Sequence, residues 1–390
     1  MVEVLEKYAN DNSIGSFLHR IFRRERGYKE KLEKEPLYVL KELPFFVTSN
    51  KEMANFIGDE LKLPCVYAEG DSYEDVVGAI RKGTKEFEND RVVLVGVRPL
   101  KNLKMGGRGI KTFAPYFDLD EDGYLEVSGS YMPPDKELIR EHVNKIRGTE
   151  FRKPGGKEKI VVVVQEGEKR FAEKVKEKGF NYQILHKVEG EGYEQWKDAD
   201  AIFQVSDGEP RIHSDGVNWD LAEKFIIFCS PVYQVLNGKN FLEKTERGYR
   251  FERYPFVFSE ACHCGETEKE LPKAFFKAGC LYTASTATTS NITRKTRWEN
   301  AFCGDGVKYG FLEKLDEYDT MFQIYRVVMN TLLDHLPRDL KLEAREVLSG
   351  EHELYEDVFE ILTITMFGLD RPSPVRKRKH PRKIGEIDDL

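Results

Sequence analysis

Arg91-Val92-Val93-Leu94-Val95-Gly96-Val97 decides the fold class. Its apolar residues run on without alternating. A strand with that pattern is covered on both faces, as the strands of parallel sheets are. Ile160-Val161-Val162-Val163-Val164 repeats the pattern farther along. Around the first run, Pro44-Phe45-Phe46-Val47-Thr48-Ser49 and Pro64-Cys65-Val66-Tyr67 read as strands, and 50–61, 72–87 and 134–147 as helices. Around the second, strands are expected at 182–185, 199–205, 225–229, 256–259 and 280–284. Helices are expected at 168–178 and 271–278, ended by Gly179 and Gly279. Strand and helix alternate twice over, which predicts a doubly wound α/β architecture in two similar halves.

The stretch from Gly148 through Arg152-Lys153-Pro154-Gly155-Gly156-Lys157 carries the densest punctuation and is the expected linker. The expected division is an N-terminal helical segment over 1–40, an α/β unit over 41–150 and a second α/β unit over 151–330. Helices and a strand over 331–375 and a basic tail over 376–390 complete it. Ile14, Phe17, Leu18 and Phe22 fall at helical spacing in the first of these.

The bulk numbers narrow the function. With 390 residues, 40% of them hydrophobic, the chain can bury a full core. A formal net charge of -7 argues against a general nucleic-acid binder. The exception is Arg376-Lys377-Arg378-Lys379-His380-Pro381-Arg382-Lys383, a solvated end or a contact for an acidic partner. Met1 to Asn10 lacks the apolar core of a secretory signal, and no run reaches membrane-spanning length. Six cysteines are sparse, and a reducing, cytoplasmic setting is expected. Cys65, Cys229, Cys280 and Cys303 read as small core residues.

Ligands of open α/β sheets bind beyond the carboxyl ends of strands. Three polar clusters fall there: Ser206-Asp207-Gly208, His213-Ser214-Asp215-Gly216 and Glu260-Ala261-Cys262-His263-Cys264-Gly265. A cysteine just past a buried strand and ahead of a helix exposes its sulfur at the sheet rim. Turn N–H groups and a nearby imidazole favour the thiolate and can stabilise an oxyanion. The alternatives are an inert cysteine or a metal or redox Cys-His-Cys. No second Cys or His pair at zinc spacing accompanies it.

Glu260-Ala261-Cys262-x-x-Gly265 resembles the nucleophile motif of the caspase–legumain–gingipain clan of cysteine peptidases, and the whole chain is most similar to the gingipain-type family. Phe46-Val47-Thr48-Ser49 and Val92-Leu94-Val95-Gly96 resemble its early strands. The run Tyr116 to Gly123, then Gly129, Pro133 and His142 to Ile146, resembles its "Y-x-D-x-D-x-D-G … G-R-x-P … Y-V-x-K-I". Leu271 to Gly279, Tyr282 to Thr286 and Met366 to Pro372 match later blocks in order. The resemblance covers about residues 44–375. It implies a caspase-like three-layer α/β/α sandwich of two subdomains with mostly parallel sheets. It implies a Cys–His dyad cleaving a protein or peptide substrate, with Cys262 as nucleophile and no cofactor required.

The family's histidine follows a strand directly, and here that position is Asp207, which lacks the acid–base range of an imidazole. His213 is the nearest histidine. It precedes Cys262 by about 50 positions, a caspase-like spacing. Either His213 completes the dyad, with Gly208 or Gly216 supplying an oxyanion N–H, or the chain keeps the fold as a catalytically silent binding or scaffold module. Trp298 or Trp219 is a candidate pocket wall, within or beside the segment 286–298 that walls the S1 pocket in the resembling family. Asp118-x-Asp120-x-Asp122-Gly123 opens like a calcium loop, but its twelfth position is Gly129, so it is not an EF-hand. A non-EF Ca2+ site or a solvated acidic turn remains. Met105-Gly106-Gly107-Arg108-Gly109 lacks the Lys-Ser/Thr of a phosphate loop and reads as a flexible loop.

Overall fold

The computed structural model describes residues 43–105, 108–149, 151, 158–164, 170–186, 192–205, 228–229, 233–234, 236, 238–259, 265, 270–286, 304–335 and 363–374. The expected helix over 1–40, the core of the expected linker and the basic tail lie outside them. The strands are β1 (Phe45–Thr48), β2 (Cys65–Tyr67), β3 (Arg91–Val95), β4 (Leu100–Met105), β5 (Arg108–Thr112), β6 (Ser128–Met132) and β7 (Ile160–Val164). They continue with β8 (Tyr182–Leu185), β9 (Ala201–Val205), β10 (Phe228–Cys229), β11 (Tyr233–Gln234), β12 (Phe256–Ser259), β13 (Leu281–Ser285) and β14 (Ile364–Phe367). The helices are α1 (Lys51–Asn55), continued by a π turn at Phe56–Glu60, α2 (Tyr73–Glu86), α3 (Lys136–Gly148), α4 (Arg170–Glu177) and α5 (Gly192–Gln195). After these come α6 (Gly238–Glu246), α7 (Glu270–Ala278), α8 (Gly304–Lys314) and α9 (Met321–His335).

Local chemistry starts and stops these helices. Asn50, Ser72 and Asp135 accept hydrogen bonds from the N–H groups of Met53, Asp75 and Leu138, capping α1, α2 and α3. Gly279, at φ +78°, donates its N–H to the carbonyls of Phe275 and Phe276 and ends α7.

One ten-stranded sheet unites the two halves, in the order β2-β1-β3-β6-β14-β13-β12-β9-β7-β8. The near-continuous apolar runs behave as expected: Val92 to Val95 and Ile160 to Val163 are fully buried. Where side-chain burial is described, β3 and β7 therefore have helix-covered faces. β4 and β5 form a separate antiparallel hairpin where a flexible loop was expected, with 106–107 outside the described residues.

β14 sets the geometry. It pairs antiparallel with β13 and parallel with β6. The first-half strands therefore run opposite to β7, β8, β9, β12 and β13, which are mutually parallel. The carboxyl edge of the second half lies level with the amino end of β6.

Side chains of the second half divide between two faces. Val161, Val163, Ile202, Val257 and Tyr282 pack with Trp196 and with Phe241 of α6 and Phe275 of α7. Phe275 lies 4.5 Å from Tyr282 and 5.1 Å from Phe241 between ring centroids. On the opposite face Phe203, Phe256 and Phe258 meet Phe171 of α4 and Phe311 of α8. Burying one such ring contributes roughly 2–3 kcal/mol, so these clusters outweigh the exposed ion pairs, worth about 0–1 kcal/mol each.

Candidate functional site

Parallel pairing aligns the ends of β9, β12 and β13, with Gln204, Ser259 and Ala284 side by side. Ser259 stands three residues before Cys262, and Gln204 three before Asp207. Strand order adds a second feature. The chain leaves β7 for β8 on one side and leaves β9 for β12 on the other. That reversal makes the carboxyl ends of β7 and β9 a topological switch point, where a ligand crevice forms in open α/β sheets.

Gly265 closes the cysteine segment from its other side. Its N–H donates to the Ser285 carbonyl at 2.7 Å. A Cβ at this position would lie 2.9 Å from the carbonyl oxygens of both Ala284 and Ser285. Those are backbone atoms of a buried strand and cannot move aside, so the position requires glycine. Both flanks of the cysteine segment, Ser259 and Gly265, thus belong to the same edge. Cys262, His213, Asp207, Gly208, Gly216, Trp219 and Trp298 lie outside the described residues.

The first half reaches this edge too. Thr286, just past β13, donates to the carbonyl of Lys111, whose residue belongs to β5. The acidic loop lies at the amino end of β6, on the same edge of the sheet. From there to the end of β12 is three strand spacings, about 14 Å.

That loop is closely held. Asp118 accepts from the N–H groups of Asp122 at 3.1 Å and Gly123 at 2.8 Å, and Asp122 accepts from Tyr124 at 3.1 Å. Glu121 and Gly123 take left-handed φ values of 62° and 86°, which fold the loop back on itself. Arg81 of α2 donates to the Leu119 carbonyl. Asn330 of α9 bonds both the N–H and carbonyl of Leu125, at 2.8 and 3.0 Å.

A residue absent from the sequence expectation joins the set. Glu126 brings a carboxylate, and one oxygen from each of Asp118, Asp120, Asp122 and Glu126 lies within 4.8 Å of the others. Opposed ligands about 2.4 Å from one calcium ion are separated by that span, so the donors fit a hard divalent cation. Glu126 is the ninth position of the loop counted from Asp118, a ligand position in calcium loops, and that was the available signal. Gly129, the twelfth position, belongs to β6, where an added Cβ would strike the Phe117 ring.

Crowding perturbs these carboxyls. Burial pushes Asp118 up to about 6, with Asp120 and Glu121 adding to the rise and the Gly123 and Glu121 N–H groups opposing it. Burial, then the charges of Asp120 and Asp118, push Glu126 up to about 7. Asp118 and Glu126 thus hold their protons more tightly than ordinary carboxyls do.

Comparison with known proteins gives the fold a counterpart. A solved structure described as "Structure of Protease" superposes with a TM-score of 0.53 at 11% sequence identity, covering 84% of this chain and 77% of that one. No family model matches the sequence, and no curated protein matches it. Among the described residues no helix is long and apolar enough to cross a membrane. At 11% identity the likeness is one of fold: the chain has an α/β fold, built on a mostly parallel sheet, that a protease shares.

Proposed function

We propose that the protein is a cysteine endopeptidase of the gingipain- and caspase-like type, with Cys262 as nucleophile and His213 as its proton-transfer partner. The supporting observation is the edge formed by Ser259, Ala284 and Gly265, which bounds the Glu260–Cys264 segment on both sides. The fold shared with a protease supports the same reading. In the reaction, the Cys262 thiolate attacks the peptide carbonyl carbon, and backbone N–H groups, with Gly208 or Gly216 as candidates, stabilise the oxyanion. The C–N bond then breaks, and the imidazolium gives its proton to the leaving amine. Water, deprotonated by the imidazole, hydrolyses the thioester and restores the thiol. Trp298 is the proposed pocket wall.

Asp118, Asp120, Asp122 and Glu126 are proposed to hold Ca2+. Three strand spacings separate that loop from the end of β12, so its role is structural. A second reading, a catalytically silent module that binds a protein partner, is favoured by Asp207 at the position where the resembling family has its histidine.

Alkylation of Cys262 by iodoacetamide across pH separates the two. A peptidase gives a Cys262 thiol well below the ordinary value of about 8.5, raised again in His213→Ala. It also gives casein hydrolysis that Cys262→Ala abolishes. Ordinary titration without hydrolysis assigns the silent module.

A further inference from the structure

Every charge between Arg98 and Phe117 is positive: Arg98, Lys101, Lys104, Arg108 and Lys111, with no Asp or Glu among them. The chain as a whole holds 68 acidic residues against 61 Lys and Arg, so this stretch reverses the local sign. The nearest acids that follow it, Asp118, Asp120, Asp122 and Glu126, are gathered with one another.

The stretch folds as β4 and β5, a two-stranded sheet of its own. The end of β5 is tied to the end of β13, where the Thr286 hydroxyl donates to the Lys111 carbonyl. Among the described residues β4 pairs with β5 alone, which leaves its outer edge open to another strand. Register gives the hairpin two faces. Leu100 lies opposite Thr112, Leu103 opposite Ile110 and Met105 opposite Arg108, and these positions share one face. Thr112 is fully buried and Leu100 packs against the core, so at the base of the hairpin this face turns toward the body. Lys104, Gly109 and Lys111 take the opposite face, and Lys101 lies in the irregularity between Leu100 and Leu103.

We propose that the β4–β5 hairpin is a docking arm for an acidic, extended segment of a partner polypeptide. The segment adds alongside β4 as a third strand, with its carboxylates opposite the cationic positions 98, 101 and 104. Backbone pairing supplies affinity, and charge supplies selectivity and a faster encounter. Two observations favour a polypeptide over a nucleic acid. An open strand edge offers hydrogen bonds that a peptide backbone matches and a phosphodiester chain does not. The net charge of -7 also repels a polyanion longer than the hairpin. The assignment goes beyond the cysteine-peptidase reading and does not depend on Cys262 being catalytic.

The test uses the full chain and a fluorescein-labelled peptide of alternating Glu and Val, read by anisotropy. Its comparators are the same peptide with Gln for Glu, the acidic peptide N-methylated at alternate amides, and a single-stranded oligodeoxynucleotide of matched length. The hairpin variant is Lys101→Glu/Lys104→Glu. An equal change of net charge at exposed positions of α6 and α7, Lys239→Glu/Lys273→Glu, is the control. Binding of the acidic peptide is expected to weaken at least about tenfold in the hairpin variant and to stay within about twofold in the control. Gln substitution and N-methylation of the peptide are each expected to weaken it by at least about tenfold. Where the thermal midpoint of the hairpin variant falls by more than about five degrees, Lys101→Gln/Lys104→Gln decides instead, with a loss of at least about threefold expected.

No binding by the wild type, equal binding of the neutral or N-methylated peptide, unchanged affinity in the hairpin variants, or an equal loss in the control overturns the assignment. Tighter binding of the oligonucleotide than of the peptide, lost in the same variants, overturns it in favour of a nucleic-acid surface.

Discussion

At the scale of single residues, Gly265 and His142 show two ways a side chain can be dictated by its surroundings. Gly265 is set by two carbonyl oxygens 2.9 Å from its missing Cβ. Gly265→Ala forces β13 or the cysteine segment to shift. We expect a loss of about 2–3 kcal/mol and slower alkylation of Cys262, measured by urea unfolding and mass spectrometry. His142 is fully buried between the Tyr254 hydroxyl and the Phe276 carbonyl, each at 2.8 Å. The carbonyl only accepts, so Nε2 carries the proton and Nδ1 accepts from Tyr254, whose oxygen in turn accepts from the Leu369 N–H. Burial holds this imidazole neutral, lowered to about 4. The unfolded chain therefore binds a proton between about pH 6.5 and 4 that the folded chain refuses, and stability falls as pH falls through that window, by up to about 3 kcal/mol. His142→Gln is expected to flatten the slope in urea titrations at pH 7 and pH 4.5.

At the scale of elements, the acidic loop carries the opposite pH dependence. Asp118 and Glu126 are raised to about 6 and 7, so the folded state without a cation holds protons there that the unfolded state releases near pH 4. Their contribution is present at pH 4 and lost as pH rises through 6 and 7. Calcium binding supplies the missing charge and is favoured once the carboxyls ionise. The expected result is a calcium-dependent rise in thermal midpoint that is larger at pH 7.5 than at pH 5.5 and lost in Asp118→Asn. No shift at millimolar calcium and pH 7.5 would assign a solvated acidic turn. The sequence displayed Asp118, Asp120 and Asp122 as a spaced run and hinted at Glu126 through its ninth position, and the loop, with left-handed Glu121 and Gly123, brings that carboxylate within 4.8 Å of the other three.

For the whole molecule, β14 is the splice. It joins β6 of the first half to β13 of the second. The residues after it are locked by buried charge. Arg371 donates to the carbonyls of Asp200 and Tyr254 at 2.5 and 2.7 Å, and Asp370 accepts from the Phe322 N–H while pairing with Arg91 at 3.2 Å. Arg371→Met removes the donor to those two carbonyls and leaves the Arg91–Asp370 pair in place, at an expected loss of about 1–3 kcal/mol. Phe367 meets Tyr131 on one side and Phe276 and Tyr282 on the other. Phe367→Ala is expected to cost about 3–5 kcal/mol and to lower one calorimetric transition as a unit. Two separate transitions in the wild type would show that the halves fold independently despite sharing a sheet.

The sequence alone determined the strands buried on both faces, the helices α1 to α4 and α7 with the glycine stops Gly179 and Gly279, and the α/β class, because these depend on local periodicity and turn chemistry. Phe45–Thr48, Arg91–Val95, Ile160–Val164 and Phe256–Ser259 stand where their apolar runs predicted. Tertiary structure alone decided the order of the strands, the antiparallel β13–β14 joint and the single sheet that spans both halves, since pairing between residues some 80 positions apart leaves no local pattern. It also exposed Gln204 and Ser259. In the sequence they read as strand residues of no distinction, and only the register sets them side by side, both buried and without a hydrogen-bond partner among the described residues.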